Sequence, residues 1–117
     1  MNYDDTLTIN AGQPVLILAR VADAEGVLAT ADDIESIKVT VTDLKTMQQV
    51  GELETPAPAT VMVAITTDDS RWTADDTGYN AAYRVDGFAT SNRLYEVVIV
   101  FNCGDYEVSV VKVIKTL

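Results

Sequence analysis

The chain has 117 residues, 48% of them hydrophobic, so it is long and apolar enough to bury a core without a metal or a disulfide. Its net charge of −10 disfavours nucleic acid and anionic membranes as partners, because both are bound through basic residues. The absence of histidine removes the usual general base and most zinc or copper sites. We therefore predict a single domain over residues 1–117, not an enzyme, with no cofactor and no metal.

The first residues, MNYDDTLTIN, are acidic and lack the basic and then apolar order of a signal peptide. No apolar run approaches the roughly 20 residues of a membrane helix. We expect a protein made in the cytoplasm without a signal peptide. The single cysteine, Cys103, cannot form an internal disulfide and is interpreted as a turn residue, since no histidine exists to activate it.

Alternation of apolar and polar residues predicts four strands in the first half of the chain. The second of them, beginning at Val15, is apolar on both faces, which favours a central position in a sheet. The segment Ala29–Glu35 is interpreted as a loop or one helical turn. The apolar residues predicted on one face of the first three strands are Leu7 and Ile9; Val15, Ile17, Ala19 and Val21; and Ile37, Val39 and Val41. The fourth is a short edge strand within Gln48–Glu54.

The segment Thr55–Thr60 has two prolines in three residues, which predicts an extended linker without helix that crosses from one sheet to the other. Beyond it, Val61, Val63 and Ile65 resume the alternation. The segment Thr66–Gly78 predicts a connection with one short helical turn. The strand Tyr79–Val85 follows, with Tyr79, Ala81, Tyr83 and Val85 on one side.

The last segment, Arg93–Leu117, predicts two long strands joined by a tight turn. The loop is either Cys103-Gly104 or Gly104-Asp105. The two alternatives differ by two residues in register, so both keep the same side chains on the same face. The predicted core rows are Tyr95, Val97, Ile99 and Phe101 on the first strand and Tyr106, Val108 and Val110 on the second.

The second face of this hairpin is more apolar than a solvated face should be. We therefore expect a loop, the N-terminal segment or another protein to cover part of it. Trp72, next to Arg71, and Tyr79 are further candidates, because aromatic residues and arginine anchor interfaces. The alternative for a lone tryptophan is a place in the core or at the end of a sandwich. The candidate interface residues are Leu94, Val98, Val100, Val111, Val113, Trp72 and Tyr79.

Four Asp-Asp pairs offer carboxylates that could bind calcium, with turn chemistry as the alternative. Their spacing fits no EF-hand loop, and a glycosidase is disfavoured because the chain has a single tryptophan for sugar stacking. The best calcium candidates are Asp68, Asp69, Asp75 and Asp76.

Together these patterns predict an all-β fold, an antiparallel β-sandwich of seven or eight strands with at most one short helical turn. The stretch Gly12–Gly26 resembles the second strand and turn of immunoglobulin-like or macroglobulin-like modules, and Tyr95–Val110 resembles their terminal hairpin. The chain lacks the paired cysteines of antibody domains. More narrowly, it resembles small immunoglobulin-like structural proteins of tailed bacteriophages.

That resemblance implies a structural role without catalysis. We expect a virion subunit, as a tail, adaptor or head-decoration protein, that binds other structural proteins in a homo- or hetero-oligomeric assembly through sheet edges and its apolar second face. The alternative is a module that binds carbohydrate or calcium through Trp72, Tyr79 and the Asp pairs.

Overall fold

The computed structural model describes residues 6–72 and 78–117, which form eight strands in two sheets. The strands are β1 Thr6–Ile9, β2 Val15–Ala19, β3 Ser36–Asp43, β4 Gln48–Gln49, β5 Met62–Thr66, β6 Tyr79–Val85, β7 Leu94–Asn102 and β8 Glu107–Thr116. The larger sheet has the order β1-β8-β7-β3-β4, and the smaller sheet has the order β2-β6-β5. The predicted all-β sandwich is confirmed.

The core lies between the two sheets and includes the predicted inward rows of β2, β3 and β7. The predicted row of the last strand, Tyr106, Val108 and Val110, is only partly buried, and Ile114 is the residue of β8 that enters the core. In β7, Val97 and Ile99 are at most 1% exposed, and in β3 the same is true of Ile37. The smaller sheet contributes Ile17 and Val85 to the same cluster. Burying a side chain of this size stabilises the fold by about 1.5–3 kcal/mol, so these rows dominate its stability.

The C-terminal hairpin uses the second of its two possible loops. Phe101 lies opposite Val108, and the Cys103 N–H donates to the Tyr106 carbonyl oxygen over 2.9 Å, so the loop is Gly104-Asp105. Gly104 has a φ of 85°, and glycine at the first central position is typical of a type II′ turn, whose twist matches that of the strands. Cys103 is partly buried beside this turn.

The pairing of β1 differs from the predicted antiparallel sheet. β1 runs parallel to β8, from Thr6 opposite Val113 to Ile9 opposite Thr116. A tight hairpin enforces antiparallel pairing only between consecutive strands. Most of the chain lies between β1 and β8, so no tight turn fixes their relative direction. Alternation within β1 carries no information about its direction.

The predicted central position of β2 is wrong. In the described part of the chain β2 pairs with β6 alone and forms an edge of the smaller sheet. Its outward residue Leu18 is nevertheless only 8% exposed. Apolar residues on both faces of a strand therefore report that both faces are covered, and they say nothing about its two hydrogen-bonding edges.

The proline segment crosses between the sheets as predicted, but it is not free of helix. A single α-helical turn, α1, spans Pro58–Val61, with Pro58 at its first position. Proline suits that position because its missing N–H would have no partner inside the helix. The turn places Val61 in the core with 0% exposure. A second turn, a 3₁₀ turn at Ala31–Asp33, agrees with the helical alternative for that segment.

The strand β5 pairs with β6 in an irregular register, so the alternation of its residues does not decide which side chains are buried. Met62 lies opposite Ala81 and Thr66 opposite Tyr79, so four steps along β5 match two steps along β6. Extra residues of this kind form a bulge, which turns side chains away from the direction that the period of two implies. As a result Val63 and Ile65 are 43% and 42% exposed.

Candidate docking face

The strand register brings five of the predicted interface residues onto one surface, the outward side of the larger sheet, which we call the outer face. Val98 lies directly opposite Val111, and Val113 lies opposite Glu96. Val111 and Leu94 are each 45% exposed, and the other members are partly exposed. The outward residues of β3, β7 and β8 are Ser36, Lys38, Thr40, Thr42, Leu94, Glu96, Val98, Val100, Asn102, Glu107, Ser109, Val111, Val113 and Lys115.

The outer face is electrically neutral on an acidic protein. Its lysines, Lys38 and Lys115, balance its glutamates, Glu96 and Glu107, whereas the whole chain carries a net charge of −10. Its centre is a group of valines on β7 and β8. Neutral surfaces with an apolar centre and a polar rim are typical of protein interfaces.

A pocket of about 250 Å³, which we call the corner pocket, lies at one end of the larger sheet. It is formed where the turn after β3 meets the segment that begins β7. Leu94 lines this pocket and also belongs to the outer face, so the two are continuous. The lining residues are Leu44, Lys45, Asn92, Arg93 and Leu94.

An ion pair between Asp43 and Arg93 supports the corner pocket. Burial by itself raises the pKa of the Asp43 carboxyl group. Hydrogen bonds from the backbone N–H groups of Lys45 and Thr46 and from the Arg93 side chain outweigh that effect and lower its pKa below the ordinary value. The carboxylate therefore stays charged at neutral pH and holds the turn after β3 and the Arg93 side chain together.

The other two predicted interface residues do not join the outer face. Tyr79 begins β6 in the smaller sheet and is 7% exposed, and Trp72 lies in the loop before it and is partly buried. Their ring centroids are 5.9 Å apart. The Tyr79 hydroxyl donates to the Asp69 carboxylate over 2.7 Å. Tyr79 is therefore a buried residue, in agreement with its inward place in the alternation of β6.

The calcium candidates are only partly within the described residues. Asp75 and Asp76 lie outside them. Asp69 accepts hydrogen bonds from the Nε and Nη2 groups of the Arg71 side chain, from the Tyr79 hydroxyl and from the Arg71 backbone N–H, and these bonds lower the pKa of its carboxyl group far below the ordinary value. Within residues 6–72 and 78–117, no three acidic or cysteine side chains form a group that could hold a metal ion.

Two polar contacts between segments distant in sequence were not predicted. Asn80 is 2% exposed, and its side chain accepts from the Val21 N–H and donates to the Val21 and Ala29 carbonyl oxygens. Tyr83 donates to the Glu54 carboxylate, and burial together with this bond raises the pKa of Tyr83 to about 12. The only signal for these contacts in the sequence is a polar side chain within an apolar strand. Such a side chain is expected to have a hydrogen-bond partner, but the pattern does not say where that partner lies.

No helix in the part of the chain described by the structure is long and apolar enough to span a membrane. Comparisons of the chain with protein-family models, with curated proteins and with solved structures find no match.

Proposed function

We propose that this chain is a non-catalytic assembly protein, a subunit of a virion, that docks onto other structural proteins through its outer face. The observation that carries the proposal is the neutral, valine-centred surface on two central strands of the larger sheet, on a chain of net charge −10. The resemblance to small structural proteins of tailed bacteriophages supports the virion as the setting.

The size of the outer face is consistent with this role. Strands lie about 4.8 Å apart and rise about 3.4 Å per residue, so the 27 residues of β3, β7 and β8 offer roughly 440 Å² to a partner. Stable interfaces bury about 800 Å² on each side, and smaller ones are weak unless other contacts reinforce them. A subunit within an assembly gains such reinforcement from several simultaneous contacts.

A matched pair of substitutions tests the outer face. Val111 and Val63 are both strand valines, 45% and 43% exposed, but Val111 lies on the outer face and Val63 on the smaller sheet. Each is replaced by aspartate. Binding to the structural proteins encoded beside its gene is measured by interferometry, and self-association by sedimentation equilibrium.

We expect Val111→Asp to weaken the interaction by roughly tenfold or more, because a carboxylate at the centre of an interface loses its hydration without a partner. Val63→Asp should leave it unchanged. The proposal fails if the two variants lose binding equally, or if the wild-type chain binds neither itself nor any of those proteins.

The alternative of a carbohydrate or calcium module is not favoured by the described residues. The Asp69 carboxylate is already bonded to Arg71 and Tyr79, and the Tyr79 ring is buried rather than presented to a sugar.

A further inference from the structure

Backbone hydrogen bonds fix the positions of the segments that line the corner pocket. The Leu44 N–H donates to the Leu94 carbonyl oxygen over 3.0 Å and joins the two walls. The Asn92 N–H donates to the Thr116 carbonyl oxygen over 3.0 Å, and the Arg93 N–H donates to the Thr116 hydroxyl over 3.0 Å. A site whose walls are fixed in advance binds at lower entropic cost.

The chemistry of the lining is that of a site for a carboxylate next to an apolar group. Lys45 and Arg93 are its ionisable lining groups; both are cations, and Asp43 already pairs with Arg93, so these three groups carry a net charge of +1 on a protein whose net charge is −10. The Arg93 guanidinium uses Nη1 for Asp43 and has further N–H groups, and neither Lys nor Arg can accept a hydrogen bond. Leu44 and Leu94 supply the apolar walls.

The corner pocket is a shallow depression that is open to solvent. Sites for cofactors and drug-sized molecules are about 300–1,000 Å³, and the corner pocket is smaller, at about 250 Å³. A single side chain together with a neighbouring carboxylate is a better match. Because Leu94 also belongs to the outer face, a protein docked on that face can place such a group in the pocket.

We propose that the corner pocket binds an aliphatic side chain flanked by a carboxylate, presented by the partner protein as an anchor beside the outer face. This inference rests on the proposed function and adds the chemistry of the partner to it. The cations complement the carboxylate, and the leucine walls complement the aliphatic group. The anchor adds contact area to a face that is small for a stable interface.

The probe for this site is N-acetyl-leucine, which carries both groups, titrated into the full chain and followed by ¹H–¹⁵N NMR. We expect shifts at the amides of residues 44, 45 and 92–94 with a Kd on the order of millimolar, the range for so small a ligand. N-acetyl-leucinamide, which lacks the charge, should bind at least tenfold more weakly. The Lys45→Met variant should also bind N-acetyl-leucine at least tenfold more weakly. The Lys38→Met variant, changed on the outer face, should bind N-acetyl-leucine as the wild type does.

The inference is overturned if the amide probe binds equally well, if Lys45→Met leaves the titration unchanged, or if the shifts lie outside the pocket. The Val111→Asp variant distinguishes failure of this inference from failure of the proposed function, because Val111 does not line the pocket. This variant should bind the probe as the wild type does but should no longer bind the partner protein. A chain that binds a partner but not the probe disproves the pocket alone. A chain that binds the probe but no partner supports the pocket and disproves docking on the outer face.

Discussion

Val98 and Ile99 are neighbours in β7 and point to opposite faces of the larger sheet. Ile99 is 1% exposed, whereas Val98 lies on the outer face opposite Val111. We predict that aspartate at these two positions has very different effects on folding. Ile99→Asp loses about 2–5 kcal/mol from the missing side chain and several more from a buried carboxylate without a partner. Since a domain of this size is stable by about 5–15 kcal/mol, this variant should not fold.

Val98→Asp should cost much less. The change removes a cross-strand contact with Val111, which contributes about 0.2–1 kcal/mol, and lowers the strand propensity by at most about 1 kcal/mol. The new carboxylate can remain hydrated at the surface. We therefore expect a folded variant that is less stable by about 1–2 kcal/mol and that no longer binds the partner.

Urea unfolding, followed by Trp72 fluorescence and far-ultraviolet circular dichroism, measures both variants. The expected result is a cooperative transition at lower urea for Val98→Asp and no folded baseline for Ile99→Asp. If both variants are unfolded, the outer face is ordinary core, and the docking proposal loses its basis. If both remain folded, the assignment of β7 to two distinct environments is wrong.

Three further predictions concern single residues. Asn80→Asp removes donors from two buried carbonyl groups, so it should cost about 3 kcal/mol or more at pH 7. Burial raises the pKa of the new carboxyl group, so the folded state binds protons more tightly than the unfolded state and the loss of stability should shrink at pH 4. Urea titrations that show the same loss of stability at both pH values would contradict this. Gly78→Ala places a Cβ 2.1 Å from the Thr66 carbonyl oxygen, whereas Gly26→Ala, at a similar positive φ, meets nothing within 4 Å. Both carry the strain of a positive φ, about 1–2 kcal/mol, but thermal melts should show a clearly larger loss for Gly78, and equal losses would argue against the close approach. The Asp43 carboxyl group has a lowered pKa when folded, so its stabilisation is present above the ordinary pKa of 3.8 and is lost as the pH falls through the folded value. Melts between pH 5 and 2 should therefore fall more steeply for the wild type than for Asp43→Asn, and parallel curves would show that the ion pair has no role.

The inward rows of β3 and β7 could be predicted because side-chain direction in a strand follows a period of two. Tyr95, Val97, Ile99 and Phe101 are all at most 2% exposed, as their alternation indicates. The same period of two places five of the interface candidates on one surface, whatever the exact register of the hairpin. Both hairpin loops considered from the sequence preserve that arrangement.

Features that depend on a second segment could not be predicted. The edge position of β2 follows from the order of strands in the sheet, and the exposure of Val63 follows from a bulge against β6. Tyr79 shows a different limit: its residue type favoured an interface, but its place in the alternation decided its burial. The corner pocket joins segments about 50 residues apart, and only the pairing of β3 with β7 brings them together.

The parallel pairing of β1 with β8 has a consequence for synthesis on the ribosome. β1 is the first of the eight strands to emerge, and its partner is the last, with Thr6 opposite Val113. The larger sheet cannot close until nearly the whole chain has left the exit tunnel, and such distant contacts slow folding. Until β8 has emerged, the apolar residues of β1, Leu7 and Ile9, have no partner strand and remain in contact with solvent, so β1 is the strand that waits longest for its pairing.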